Sequence, residues 1–185
     1  MVSLDYIKRF YQFNCDLLAM EAPVVCFKKK DMYFDINGNR CKEFHILPSA
    51  MATSVIEKNS IYVNLDNIDD EILFFILAHE IRHCYQYQAV IDEDIYEPYS
   101  PQWKKEIKSY RNSSSLNYEN QEIEIDANAY ACFIYLFLGK NIPNVNCDQI
   151  KLMKRVKEFG MDFTKEELED CSYILKPYLS KTLYN

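Results

Sequence analysis

Apolar residues recur at helical spacing from the start of the chain. Leu4, Ile7, Phe10, Tyr11, Phe13, Leu17 and Leu18 are spaced as on a helix, so residues 3–20 are expected to form a helix with one face on a core. The pattern then shortens to strand-like runs. Val24–Phe27 and Met32–Ile36 flank a lysine-rich turn, Asn37-Gly38-Asn39 is a strong turn signal, and Cys41–Leu47 reads as a further strand. Ile61–Leu65 is expected to be the last strand, directly before a helix. That helix opens on Asn67–Glu71, which offers side-chain caps and acidic residues for a first turn. It continues through Ile72–Ala78, a run apolar on every side and therefore central and buried.

Ser100-Pro101 can cap and open a short helix bearing Trp103, Ile107 and Tyr110, after which Arg111–Ser115 reads as a flexible loop suited to a lid or specificity rim, or to a plain exposed insertion. From Ile123 to Ala131 apolar and polar residues alternate, which a strand would permit. The alanines there, and the unalternating stretch Tyr130–Leu138 ended by Gly139, favour a helix instead. Asn146–Gln149 and Thr164–Glu167 both read as capping boxes, so two more helices are expected, separated by Gly160.

These elements predict an α+β fold in a single domain, 1–185: an N-terminal helix, a small, mostly antiparallel sheet, two central helices and a C-terminal helical pair. Within it, 85–121 is an insertion and 144–185 a helical buttress. The 49% hydrophobic and 15% aromatic content is enough for a sizeable core. A net charge of −7, with no basic cluster longer than Lys28-Lys29-Lys30, disfavours nucleic acid as a partner. The run Ile72–Ala78 is far short of the roughly 20 residues needed to cross a bilayer, so no membrane span is expected. Seven cysteines, odd in number and never spaced as Cys-x-x-Cys, suggest free thiols; with no signal-peptide core at the N-terminus, a cytoplasmic setting is expected.

The chemistry concentrates in Ala78-His79-Glu80-Ile81-Arg82-His83-Cys84, which holds two of the chain's 3 histidines. With about 3.6 residues per turn, His79 and His83 project from one helical stripe and can share a Zn²⁺ ion. Glu80 lies one step around the helix, where its carboxylate reaches a metal-bound water without being a ligand, as a general base requires. Cys84 should point about 100° away from His83 and reads as a buried thiol, and His45, with no motif around it, as a structural histidine.

Two histidines leave a tetrahedral zinc short of a third protein ligand. The segment Gln121–Ala131 offers two pairs at helical spacing. In the first, Glu124 can bind metal while Asn128 takes a hydrogen bond from a ligand imidazole; in the second, Glu122 and Asp126 have the same separation, and Glu122 is the alternative ligand.

Three segments together resemble a known family: Ser60-Ile61-Tyr62-Val63-Asn64, then Leu77-Ala78-His79-Glu80-Ile81-Arg82-His83, then Glu124-Ile125-Asp126-Ala127-Asn128-Ala129-Tyr130-Ala131. They are similar to the small gluzincin metallopeptidases of the ImmA/IrrE type, in which an Ile-x-Val-Asn strand precedes the His-Glu-x-x-His helix and a later helix supplies a glutamate ligand. The resemblance spans roughly residues 55–138. It implies a gluzincin-like zincin domain, a zinc cofactor held by His79, His83 and Glu124, and Asn128 beside a ligand. It also implies that Tyr62, Val63 and Asn64 lie on a sheet edge that pairs with an extended substrate, although an ordinary core strand accounts for their apolar pattern equally well. Arg82 stands where the family has glycine, Asp126 where it has a second glutamate, and the chain between His83 and Glu124 is longer than in the family. The DNA-binding helix-turn-helix that often accompanies such peptidases is not evident.

The function expected is zinc-dependent hydrolysis of a protein or peptide substrate, with Glu80 moving the proton and Tyr85, Tyr87 or Tyr118 as candidates to stabilise the tetrahedral intermediate. The rival is a non-catalytic zinc-containing sensor or protein-binding module. An open coordination position with Glu80 turned toward it would favour the enzyme; a fourth ligand such as Cys84 or His45 would favour the rival. Substrate identity and oligomeric state are not legible in the chain.

Overall fold

The computed structural model describes residues 2–42, 46–92, 94–110 and 117–178. Helix α1, Leu4–Leu17, is capped by Ser3, whose hydroxyl accepts from the Tyr6 amide at 3.2 Å. Strands β1 (Val24–Lys29) and β2 (Met32–Asp35) form the expected hairpin. Strands β3 (Ala52–Val55) and β4 (Ser60–Asn64) follow. The sheet order is β2-β1-β4-β3; β1 and β4 run parallel, whereas both outer pairings are antiparallel. Four main helices complete the chain after α2 (Leu73–Ile91): α3 (Ser100–Lys108), α4 (Glu122–Phe137), α5 (Gln149–Asp162) and α6 (Lys165–Ser172). The α+β class therefore holds, with a mixed sheet.

Helix α2 is the hub. It packs against α1, α4, α3 and the β3–β4 edge of the sheet, while α5 covers the far side of α4. Phe10 and Phe13 of α1, Phe27 of β1, Val63 of β4, and Leu77 and Ile81 of α2 are fully buried in the resulting core, each contributing about 1.5–3 kcal/mol of transfer free energy. A smaller cluster of Ala89, Trp103 and Ile123 joins the far half of α2 to α3 and α4. Deep in the main core Tyr130 donates to Asn14 Oδ1 at 2.9 Å, and Asn14 Nδ2 donates to the Phe10 carbonyl at 2.7 Å.

Several expectations change. The edge strand beside α2 is β3, not β4; Ala52-Thr53-Ser54-Val55 is short and lacks the large alternating residues that announce a strand. Cys41 and Leu47 lie outside any strand, and only Arg40 makes an isolated bridge, to Phe34. His45 and the Arg111–Ser115 segment lie outside the described residues. Helix α2 has Ile72 as its N-cap without a side-chain cap; a tertiary contact serves instead, the Phe75 amide donating to the Tyr135 hydroxyl at 2.9 Å. The same helix runs on to Ile91, so the insertion begins about two turns later than Tyr85. Asp148, accepting from the amides of Ile150 and Lys151, caps α5 on its own. Gly160 lies inside α5, and the break to α6 falls at Thr164, where the expected capping box is present. The alternating glutamate segment is helix α4, ended by Gly139 at φ 66°, a left-handed conformation that suits glycine. Among the described residues no helix is long and apolar enough to cross a membrane.

Candidate metal centre

The i, i+4 spacing on α2 brings the imidazoles of His79 and His83 edge to face, with ring centroids 4.6 Å apart. Their Nε2 atoms point at one another across 3.0 Å. Helix α4 crosses at this level and inserts Glu124, with Oε1 3.4 Å from His83 Nε2 and Oε2 3.6 Å from His79 Nε2. Among the described residues this is the group of side chains able to hold a metal ion, its ligand atoms all within 4.8 Å of one another.

The donor set fits a zinc ion. Tetrahedral coordination with bonds of about 2.0–2.1 Å separates neighbouring donors by roughly 3.3 Å, which lies between the observed 3.0 and 3.6 Å. Two bare imidazole nitrogens at 3.0 Å would repel, so a proton or a cation belongs between them. Charge follows the same geometry. Burial, helped by neighbouring His83, lowers the pKa of His79 to about 4. Burial also opposes charge on His83, but Glu124 outweighs it and holds that ring at about 9. Glu124 resists its own burial through both histidines and stays ionised, its pKa near about 2. Without metal, therefore, His83 carries the proton that His79 accepts.

Glu80 is buried beside the triad. Ser54 on β3 stands beside it, where its hydroxyl and backbone amide favour the charged carboxylate. Burial raises its pKa above the usual carboxylate value, with His83 and Ser54 pulling partly back. The other side of Glu124 meets two tyrosines. Tyr110 donates to Oε1 at 2.5 Å and stands 3.2 Å, hydroxyl to hydroxyl, from Tyr118. Burial first, then the Glu124 charge, pushes both phenols far up.

The two candidate ligand pairs on α4 separate cleanly. Glu124 and Asn128 face the histidines of α2, whereas Glu122 and Asp126 face α5, where Lys151 and Arg155 stand at the matching i, i+4 positions. Glu122 pairs with Lys151 near the surface and is not a ligand. Asp126 is buried between two arginines, accepting from Arg82 Nε at 2.7 Å and Arg155 Nε at 2.6 Å. Asn128 meets His79 and favours its charged form, yet His79 Nδ1 is buried without a hydrogen bond, so the expected contact is incomplete.

Gln86, overlooked in the sequence, is fully buried. Its Oε1 lies 2.8 Å from His83 Nδ1, and its Nε2 donates to the Ile123 carbonyl at 2.9 Å and to Asp126 Oδ2 at 2.7 Å. Ser54 and Tyr110 were also missed, because a serine on a weak strand and one tyrosine among 15 carry no local signal. Of the expected tyrosines only Tyr118 reaches the site. Tyr85 instead lies 4.4 Å beneath the Arg82 guanidinium, which Trp103, Tyr130 and Phe159 also surround. Tyr87 is half-buried. Cys84 is a buried thiol outside the triad. Tyr62, Val63 and Asn64 are buried in β4 with both backbone edges paired, to β1 and to β3, which overturns their expected role in pairing with substrate.

Comparison of the chain with models of known families, with curated proteins and with solved structures finds no match.

Proposed function

We propose that this chain is a zinc-dependent peptidase of the minimal gluzincin type. The observation that carries the reading is the convergence of His79, His83 and Glu124 from two helices, with the buried Glu80 carboxylate alongside. A bound zinc would supply a water acidified toward a pKa of about 7 and would polarise a carbonyl. Glu80, drawn toward its neutral form by burial, takes the proton of the attacking water and passes it to the departing amine. Ser54 aims the carboxylate. Because Ser54 belongs to the terminal strand of the sheet, an extended peptide pairing with the outer edge of β3 would pass directly by Glu80. Tyr110 and Tyr118, hydroxyls on Glu124, are the donors nearest to a carbonyl oxygen gaining charge there.

A structural zinc usually has four protein ligands; of the two candidates for a fourth, Cys84 is a buried thiol outside the triad, and His45 lies outside the described residues. Elemental analysis of protein purified without chelator should find about one zinc per chain, lost in Glu124→Ala and kept in Glu122→Ala. Glu80→Gln should keep the metal and lose cleavage of a mixed peptide library read by mass spectrometry, whereas His79→Ala should lose both. Cleavage retained by Glu80→Gln would overturn the reading.

A further inference from the structure

We infer that Gln86 is a positioning residue that dictates which nitrogen of His83 faces the metal, and that it ties the two ligand-bearing helices together in doing so. The inference rests on the metal site proposed above, but its observations are separate ones.

A glutamine amide has one acceptor and two N–H donors. Both neighbours of Gln86 Nε2 are acceptors only: the Ile123 carbonyl at 2.9 Å and the Asp126 carboxylate at 2.7 Å. Turning the amide over would set its oxygen against both, so Oε1 is the atom that faces His83. At 2.8 Å from that oxygen, His83 Nδ1 must carry a hydrogen and donate. In the neutral ring Nε2 is then the bare nitrogen, and it is the one aimed at His79 and Glu124.

The amide cannot relax out of this role, because each of its partners is itself held. Asp126 is fixed from Arg82 on α2 and from Arg155 on α5. Ile123 and Asp126 flank Glu124 on α4, so one side chain of α2 grips the backbone and the carboxylate on either side of the third ligand. The separation of His83 from Glu124 is thereby set by hydrogen bonds that never touch the metal. His79 has no such device, since its Nδ1 makes no hydrogen bond. A purely structural glutamine would clamp the helices without biasing the histidine, so the state of the ring separates the two roles.

The test uses Gln86→Leu, which keeps the volume and removes the acceptor, beside the wild-type chain. In competition with a chromophoric chelator, zinc affinity should fall about 10- to 100-fold, with the far-ultraviolet circular dichroism unchanged. Nitrogen-15 spectra of the imidazoles at alkaline pH, without zinc, should show His83 as the Nδ1–H form in the wild type and as a mixture or the Nε2–H form in Gln86→Leu. Zinc affinity in Gln86→Leu within twofold of wild type, or a wild-type His83 protonated at Nε2, would overturn the inference. If Gln86→Leu does not fold, the wild-type spectrum decides alone. Wild-type protein that takes up no zinc would instead overturn the peptidase reading, and the role of Gln86 toward a metal would fall with it.

Discussion

The two halves of the site are built on opposite plans. On the His83 side every polar atom is committed: the ring to Gln86, Gln86 to Asp126 and Ile123, and Asp126 to Arg82 and Arg155, whose guanidiniums sit among aromatic rings. On the His79 side the ring is more exposed, 15% against 9% for the side chains, and its Nδ1 has no partner. The contrast divides labour. A low-dielectric interior makes a fully satisfied network stiff and an unsatisfied one costly, so on the proposed reading the closed half would fix the geometry of a metal and the more exposed half would be the side open to a substrate.

The largest way to break this contrast is at Asp126. Asp126→Ala leaves two buried guanidiniums facing only Glu97, Glu158 and the exposed Asp162 among the described residues, and removing one partner of a buried ion pair costs about 3–5 kcal/mol. Chemical denaturation should show a loss of that size; a loss below about 1 kcal/mol would mean that the closed half is not stiff. Next comes the metal. With free zinc at about 100 times Kd, the protein should gain about 2.7 kcal/mol of stability, removed by chelator and absent in Glu124→Ala.

Protonation sharpens the comparison further. The pKa of His83 is raised to about 9 without metal, so at pH 7 zinc must displace its proton. Titration calorimetry in buffers of different ionisation enthalpy should find about one proton released per zinc, and affinity should rise about tenfold per pH unit until it levels near pH 9. The sign for the metal-free fold follows from the same values. The raised His83 pKa contributes stability that is present below about 6.5 and lost as pH climbs through about 9. The depressed His79 pKa contributes stability that is lost as pH falls from about 6.5 through about 4. The smallest effect should come from Asn128→Ala. Its contact with His79 is incomplete, so zinc affinity should change less than about tenfold, the low end for such outer partners. A loss equal to that of Gln86→Leu would erase the difference between the halves.

Local features announced themselves along the chain because they depend on residues a few positions apart. Residues four apart share a helical face, so His79 with His83 and Glu124 with Asn128 were legible as pairs, as was the Thr164–Glu167 box of α6. The choice between Glu124 and Glu122 was not. Two positions around a helix is a rotation of about 200°, and only the packing of α4 between α2 and α5 decides which carboxylate turns toward the histidines. Strand β3 was hidden because its four residues gain strand identity from pairing with β4 rather than from their own pattern.

By itself, then, the chain determined a helix carrying His79, Glu80 and His83 on adjoining faces and an acidic helix able to complete the donor set. Tertiary structure decided the rest: that Glu124 completes it, that β3 borders it through Ser54, and that Gln86 orients His83. Those outcomes rest on how helices rotate and cross when apolar surface is buried, and on the hydrogen bonds that burial then requires of every polar group left inside.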